Sequence, residues 1–358
     1  MAHEILTMPE SANEQAIIRI AASLEGLEQF PLPMANGMTL VMGLVPDPRD
    51  GTRMTVSGCH RSPELALAAC AGEAAEFIAQ CERPQEACLE LDRLPKWNDD
   101  KNLRVPIQSK DWMIAKDLSD GGHIAVPGCL ARYHPSSAHL DISTGCAAGP
   151  TRNDATFHGL REIIERDALS RWRDESIAPY ALEPSPRLAR WIDSARQNPS
   201  ARQVALLDIG MDGPLPVVIA LSHDADGRNL CTGSCAHPDP EACATGALRE
   251  LFQMEFGLQL ARFKEENLGS TGLSEPDKDL LSNADGLFDR PDQFKPSGQK
   301  TRDMDADRLS GGASTQHIAA YFSARGQRCA VADLSASAGL CVVKTFIEGL
   351  DTPIRRYS

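Results

Sequence analysis

Three segments of the chain share one order of polar and apolar positions. Each begins with a small polar residue and a glycine near a cysteine, continues through a short turn, and enters an alanine- and leucine-rich stretch with helical periodicity. The segments are 57–77, 144–166 and 232–255, and β-branched runs cut by Asp, Gly and Pro precede each one. The pattern predicts three strand–strand–helix repeats in an α+β fold, with helices packed on antiparallel sheets.

The start of each predicted helix carries a residue suited to capping. Ser62, Thr151 and Asp239 have side-chain oxygens that can accept hydrogen bonds from the free N–H groups of a first turn. Pro63 and Pro240 follow two of them at the first helical position, where the missing N–H costs nothing. These residues fix the register in which the three helices are compared.

A glutamate stands eleven residues after each predicted cap, and a second carboxylate or an amide follows three residues later. The first positions are Glu73, Glu162 and Glu250, and the second positions are Glu76, Glu165 and Gln253. A single such helix would favour a solvated face with internal ion pairs. Three helices with the same pattern in the same register indicate instead that the side chains converge on one site.

The middle helix extends this polar stripe in both directions. Arg166 follows Glu165 directly, while Asp154 and His158 precede Glu162 by eight and four residues. Spacings of three and four place side chains on one face of a helix. The intervening apolar residues then form the face that packs on the core.

The remaining segments complete one domain over the whole chain. Residues 1–35 contain an amphipathic stretch that predicts an N-terminal helix, and residues 40–260 hold the three repeats. Residues 265–313 are charged and rich in Gly, Ser, Asp and Pro, which predicts a long polar loop or lid. Residues 317–358 are expected to supply a closing helix and two strands that complete the sheet.

Composition narrows the classes of partner. The chain of 358 residues has 36 Lys and Arg against 50 Asp and Glu, a net charge of −14. This balance disfavours non-specific binding to nucleic acid or to an anionic membrane, both of which need a basic face. The 11 scattered cysteines and an N-terminus without a signal-peptide pattern predict a cytoplasmic protein with reduced thiols.

Five glutamates in one small volume could not all remain bare anions, so either protons or cations must neutralise them. Oxygen ligands of this kind suit Mg²⁺, which bridges carboxylates to phosphate oxygens. Arg166 adds a rigid fork of donors for phosphate. Neither a P-loop nor a dinucleotide fingerprint occurs in the chain. The pattern therefore indicates a nucleoside triphosphate site built without a glycine-rich loop.

The stretch TGCAAGPTRNDATFHGLREIIERDALSRW, residues 144–172, resembles the signature of the YcaO family, N-G-x-A-A-G-N-T-x-E-E-A-x-x-x-G-L-x-E-x-x-E-R-D. ALRELFQ, residues 247–253, resembles that family's A-L-x-E-x-x-Q helix, and ACAGEAAEF, residues 69–77, its E-x-x-E-R helix. VVKTFIEGL, residues 342–350, is similar to its closing strand V-V-R-x-x-x-P-G-L. The resemblance covers about residues 40–350.

The resemblance implies a YcaO-like fold that binds ATP and Mg²⁺ among the three helices. It also implies an enzyme that phosphorylates a backbone amide oxygen of a peptide while a nucleophile adds to the amide carbon. A substrate Cys, Ser or Thr would give an azoline, an external sulfur source a thioamide, and an amide nitrogen an amidine. The implied metal or phosphate ligands are Glu73, Glu76, Glu162, Glu165 and Glu250. The implied nucleotide-binding residues are Asp154, His158, Arg166 and Gln253.

The chain also departs from the family's pattern. Phe77 stands where Arg is usual, Pro150 where Asn is usual, and Glu348 where Pro is usual. Asp154 and His158 replace Glu and Gln. These departures leave open a non-catalytic partner subunit that binds nucleotide or peptide, although the three acidic motifs favour an active enzyme.

The C-terminus LDTPIRRYS has no proline-rich tail of the kind common in azoline-forming members. We therefore expect thioamide formation on a ribosomally made peptide or protein with a TfuA-type sulfur-delivery partner. An azoline-forming cyclodehydratase, working with a leader-peptide-binding partner, is the alternative. The family further implies a homodimer. A zinc or thiol-redox site at Cys231, Cys235 and His237 is a third alternative.

Overall fold

The computed structural model describes residues 11–81, 94–97, 112–133, 142–174, 177, 179–196, 202–210, 213–225, 227–286, 301–303, 313–335 and 339–350. Helices and strands alternate in groups along these ranges. The helices are α1 (Ala12–Ser23), α2 (Pro63–Cys81), α3 (Arg152–Arg173), α4 (Pro186–Ala195), α5 (Pro240–Leu268), α6 (Glu275–Gly286) and α7 (Thr315–Ser323). None of these helices is both long enough and apolar enough to cross a membrane.

The strands form three sheets. They are β1 (Glu25–Pro31), β2 (Thr39–Pro46), β3 (Arg53–His60), β4 (Trp112–Asp117), β5 (His123–Pro127), β6 (Cys146–Gly149), β7 (Tyr180–Glu183), β8 (Arg202–Asp208), β9 (Val217–Asp224), β10 (Cys231–Ala236), β11 (Thr301–Asp303), β12 (Cys329–Asp333) and β13 (Cys341–Ile347). The sheet orders are β1-β2-β3, β10-β9-β8-β7-β11 and β5-β4-β12-β13-β6. Within the described strands the pairing is antiparallel except between β11 and β7, which confirms the predicted α+β class.

The three predicted helix starts are confirmed. The hydroxyl of Ser62 accepts a hydrogen bond from the backbone N–H of Leu65 at 3.2 Å, and that of Thr151 accepts one from Asp154 at 3.2 Å. The carboxylate of Asp239 accepts hydrogen bonds from two N–H groups of the first turn of α5. Each helix therefore begins at the residue that sets the register of its glutamates.

The first and third repeats have the predicted order. The β2–β3 hairpin leads into α2, the β9–β10 hairpin leads into α5, and each helix packs on the hairpin that precedes it. The second repeat differs, because β6, the strand that leads into α3, does not pair with the β4–β5 hairpin. It pairs with β13 at the other edge of the sheet, where the C-terminal strands β12 and β13 separate it from β4.

Two prediction errors concern residues outside the repeats. The N-terminal helix ends at Ser23, where Leu24 adopts an extended backbone, and the following residues form β1 along β2. The predicted polar loop is partly helical, since α5 continues to Leu268 and α6 packs against it through an ion pair between Lys264 and Asp277 at 2.9 Å. The rest of that prediction, at 287–300 and 304–312, lies outside the described residues.

Strand glycines let α2 and α5 lie directly on their hairpins. A Cβ at Gly58 of β3 would lie 2.1 Å from the carbonyl oxygen of Ala66 in α2. A Cβ at Gly233 of β10 would lie 2.2 Å from the backbone nitrogen of Leu251 in α5. Since real atoms cannot approach so closely, these two positions exclude any side chain. The short distance is what allows a glutamate of the helix to reach the strand backbone.

We expect Gly233→Ala to lower the free energy of unfolding by about 1–3 kcal/mol, because the added methyl group must push α5 away from β10. Urea denaturation followed by circular dichroism measures the change. Gly72→Ala in α2 is the matched control, since a Cβ there lies 3.9 Å from its nearest neighbour, the Cβ of Ala148. The control should be neutral or slightly stabilising, and equal unfolding of both variants would contradict the packing argument.

Candidate functional site

The first glutamate of each motif binds the backbone of its own repeat. In every case one carboxylate oxygen accepts a hydrogen bond from an N–H group in or beside the strand that leads into the helix. The three bonds are Ser57 to Glu73 at 2.7 Å, Gly145 to Glu162 at 3.0 Å, and Ser234 to Glu250 at 3.0 Å. The predicted repeat is therefore also a repeat of side-chain contacts.

The second glutamate of each acidic pair reaches the strand of the next repeat. Glu76 of α2 accepts a hydrogen bond from the backbone N–H of Ala148 in β6 at 2.7 Å. Glu165 of α3 accepts one from the N–H of Ala236 in β10 at 3.2 Å and one from the hydroxyl of Ser234 at 2.6 Å. The helix of the third repeat, α5, contacts β3 of the first. The helices α2, α3 and α5 thus form a closed ring of contacts, as the predicted convergence requires. The glutamates that lie on it, called the ring below, are Glu73, Glu76, Glu162, Glu165 and Glu250.

The ring holds more negative charge than its surroundings neutralise. Burial, helped by the charge of Glu162, raises the pKa of Glu76 to about 8. Burial likewise raises the pKa of Glu162 to about 7 and that of Glu250 to about 7, each opposed by the charge of Arg166. Glu165 raises the pKa of both. Carboxylates from all three helices therefore lie close enough to affect one another's protonation.

These carboxylates are partly accessible. Glu250 is exposed, the side chain of Glu162 is 25% exposed, and Glu165 is buried. Protein surrounds the group on most sides, which explains the raised pKa values, but a ligand could reach its open side. The arrangement suits a polyanion that arrives with its own cations.

Two cations lie at the ring. Arg166 places Nη1 3.2 Å from Oε1 of Glu165 and Nη2 3.7 Å from Oε1 of Glu162, so its fork lies between the two carboxylates. Lys344 is buried on β13, where its Nζ donates hydrogen bonds of 2.6 Å to two carbonyl oxygens just before β6, and its charge lowers the pKa of Glu162. Our sequence analysis missed Lys344, although a single lysine in the apolar run CVVKTFI was an available signal.

The other predicted nucleotide-binding residues lie at the edge of the ring. Asp154 is exposed, and its carboxylate accepts a hydrogen bond of 2.7 Å from the hydroxyl of Thr151 at the start of α3. His158 is exposed one turn later, and Gln253 is half-buried one turn after Glu250. The nucleotide-binding roles of Asp154, His158 and Gln253 stay predictions.

The donor set fits Mg²⁺ that arrives with phosphate better than a resident metal. Among the described residues, no group of three or more His, Cys, Asp or Glu side chains is arranged to hold an ion by itself. Mg²⁺ in nucleotide sites commonly takes one or two carboxylates and completes its shell with phosphate oxygens and water. The glutamates of the ring could supply such carboxylates, and their raised pKa values show that added cations would be favourable there.

The geometry contradicts the zinc alternative at Cys231 and Cys235. Both residues lie on the continuous strand β10, four residues apart, so their Cα atoms are about 13 Å from each other at the rise of a β-strand. Two thiolates that bind one ion must lie much closer together. Cys231 is also buried, which raises the pKa of its thiol to about 12.

Two of the family departures have structural roles here. Phe77 is buried, with the centre of its ring 5.5 Å from that of Tyr133 in an edge-to-face arrangement, so no cation follows Glu76 as Arg166 follows Glu165. Glu348 pairs with Arg328 across the end of the β12–β13 hairpin. A third departure, Pro150, is exposed just before the cap of α3.

A family model described as YcaO cyclodehydratase, ATP- and Mg²⁺-binding, matches residues 105–351. The chain belongs to the YcaO family. ATP and Mg²⁺, the cofactors expected from the sequence, are the ligands of that family. The match covers α3, α5 and the closing strands, which hold most of the ring.

One relative and two solved structures extend this result. An uncharacterized protein in the tfuA 3′ region of Rhizobium leguminosarum bv. trifolii is 29% identical over 184 residues, which are 47% of this chain and 43% of that protein. The chain thus spans less than half the length of this relative. YcaO from Methanopyrus kandleri bound with AMPPCP and Mg²⁺ has a TM-score of 0.68 at 20% identity, over 95% of this chain and 89% of the other.

The second structure is a heterocyclase in complex with substrate and cofactor. It has a TM-score of 0.76 at 20% identity, over 97% of this chain and 53% of the other. Likeness at this level of identity establishes a shared fold. The YcaO-like fold predicted from the sequence is confirmed.

The raised pKa values predict how stability depends on pH without Mg²⁺ or nucleotide. A glutamate with an ordinary pKa of 4.5 and a folded value of about 8 binds more protons in the folded state between those values. The free energy of unfolding therefore falls as the pH rises through that interval. Urea denaturation in EDTA, repeated across the interval, measures the slope.

Glu76→Gln should reduce this slope and make the metal-free protein more stable than the wild type near the upper end of the interval, because the amide is never ionised. Glu266→Gln, at an exposed position near the end of α5, is the control and should leave the slope unchanged. Identical slopes for Glu76→Gln and the wild type would mean that Glu76 is not desolvated as described.

Proposed function

We propose that this protein uses ATP and Mg²⁺ to activate backbone amides of a ribosomally made peptide or protein during post-translational modification. One observation carries the proposal: a ring of glutamates from three helices, of which Glu76, Glu162 and Glu250 have a raised pKa, with the Arg166 fork beside it, in a chain that belongs to the YcaO family. Such a ring needs cations, and a triphosphate with Mg²⁺ supplies both the cations and the ligand that they bind.

The chemical problem in this reaction is the amide oxygen, which is a poor leaving group. Phosphorylation of this oxygen by ATP removes that obstacle, because the oxygen can then leave as phosphate. Mg²⁺ supplies charge neutralisation on the phosphates when bound. In this chain, the glutamates of α2, α3 and α5 would hold the cations, while Arg166 would donate its N–H groups to the phosphoryl group being transferred. The backbone N–H bonds to these glutamates fix the carboxylates before the nucleotide binds, so little reorganisation is needed.

For the nucleophile, we propose sulfide delivered by a TfuA-type partner, which gives a thioamide. The support is the location of the Rhizobium leguminosarum relative, in the tfuA 3′ region. Azoline formation is the second candidate, favoured by the fold shared with a heterocyclase. In both cases the ring would have the same task, and the two reactions differ only in what attacks the amide carbon.

The role of the ring can be tested without a known peptide, by Mg²⁺-dependent binding of a fluorescent ATP analogue. We expect Glu162→Gln and Glu165→Gln to weaken binding by about 10–100-fold, the usual cost of losing a group that holds or orients a metal ligand. Arg166→Lys keeps the charge and loses the two-pronged contact, so it should also weaken binding. The exposed Glu266→Gln is the control. Unchanged affinity in the ring variants would overturn the proposed nucleotide site.

The nucleophile can be identified by mass spectrometry of a short peptide encoded next to this chain's gene. With ATP, Mg²⁺, sulfide and the TfuA-type partner, we expect the mass gain of one exchange of oxygen for sulfur, together with release of phosphate. The loss of one water would identify cyclodehydration instead. ATP binding with neither change and no phosphate release would identify a non-catalytic subunit.

A further inference from the structure

A basic cleft lies beside Glu250 of the ring of glutamates. It has a volume of about 380 Å³ and is bounded by the end of β3, by α4 and by the first half of α5. Four arginines and a histidine line it, namely Arg61, Arg187, Arg190, Arg249 and His60. Such a concentration of cations is unexpected in a chain of net charge −14.

The positive charge of this cleft is largely uncompensated. Glu241 is the single carboxylate among its described lining residues, and it lies 3.5 Å from Arg187. Across the described part of the chain, no carboxylate pairs with Arg61, Arg190 or Arg249. Three guanidinium groups are therefore available to an anionic ligand.

One of these arginines is held in place by an aromatic ring, and a second is half-buried. The guanidinium of Arg61 lies over the ring of Trp191, 4.9 Å from its centre, and Trp191 packs in turn against the buried ring of Phe252. Arg249 is half-buried, and burial together with its charge lowers the pKa of His60. Side chains that are already ordered lose less entropy when they bind a ligand.

A comparison between repeats indicates that Arg249 is not needed for folding. Arg161 precedes Glu162 as Arg249 precedes Glu250, and Nε of Arg161 donates a hydrogen bond of 2.6 Å to the carbonyl oxygen of Ala236 in the next repeat. Arg249 makes no corresponding hydrogen bond within the described residues. The same position has a structural contact in one repeat and, within the described part of the chain, no ion pair or hydrogen bond in the other.

We propose that this basic cleft binds an acidic stretch of the peptide substrate through its Asp or Glu side chains. The proposal rests on the function proposed above, because it assigns a binding site for the peptide of that reaction. Glu250 contacts Ser234 at the ring, and Arg249, one residue earlier, is turned from it by about 100° around α5. Arg249 therefore lies on the side of the helix that lines the cleft. A peptide that crosses the edge of α5 could occupy both places at once.

Binding can be tested on the full chain by fluorescence polarisation with a fluorescein-labelled, glutamate-rich peptide. A peptide of the same length with Gln for every Glu is the ligand control. The variant is Arg61→Gln with Arg249→Gln, and its match is Arg19→Gln with Arg325→Gln, because Arg325 also stacks on an aromatic ring, that of Tyr321. Binding of the fluorescent ATP analogue and the unfolding midpoint are measured on the same samples.

We expect the wild type and the matched variant to bind the acidic peptide, and the cleft variant to bind it about tenfold more weakly, because two charge-assisted contacts are lost. Added salt should weaken wild-type binding.

Equal peptide affinity in both variants, or equal affinity for the Gln peptide, would overturn the proposal. Loss of ATP-analogue binding in the cleft variant alone would instead assign the arginines to the nucleotide. Failure of the ring variants to affect ATP binding would overturn the proposed function while leaving peptide binding to be judged on its own result.

Discussion

The structure depends on hydrogen bonds from strand N–H groups to the carboxylates of α2, α3 and α5. Buried backbone donors need a partner, and a carboxylate is a strong acceptor, so each bond both satisfies a strand and fixes a glutamate. The same hydrogen bonds hold carboxylates where water is largely excluded, and this burial raises the pKa of Glu76 and Glu162. The interactions that shape the fold are thus the same ones that create a demand for cations.

The alternation of the contacts explains why three repeats are needed. Glu73 binds inside its own repeat, whereas Glu76 binds β6 and Glu165 binds β10 in the repeat that follows. One repeat alone would leave the second glutamate of its helix without the N–H donor that the next repeat supplies. Since the contact of α5 with β3 closes the ring, a cation bound there would stabilise the folded arrangement of the helices that it contacts.

Local chemistry made part of this arrangement predictable. The capping residues, the hairpins and the spacing of the glutamates depend on neighbours within a few turns, and the structure has them as predicted. The pairing of β6 with β13 and the position of Lys344 depend on contacts between segments about two hundred residues apart. Local sequence periodicity contains no information about such contacts. The polar composition of α6 led to the prediction of a loop. The helix is stabilised by its contact with α5, which its own sequence does not reveal.

The ring is not electrically symmetrical, and this matters for how a nucleotide could lie in it. Arg166 serves the α3 pair, whereas the buried Phe77 leaves the α2 pair without an adjoining cation. The charge of Arg166 opposes the rise in the pKa of Glu162 and of Glu250, whereas no cation among the described residues opposes the rise in the pKa of Glu76 that burial causes. On the proposed function, the α2 side is where an added cation gains most, and the α3 side is where phosphate gains most from the protein itself. A triphosphate that brings Mg²⁺ toward Glu76 and turns a phosphate toward Arg166 would satisfy both sides of the ring.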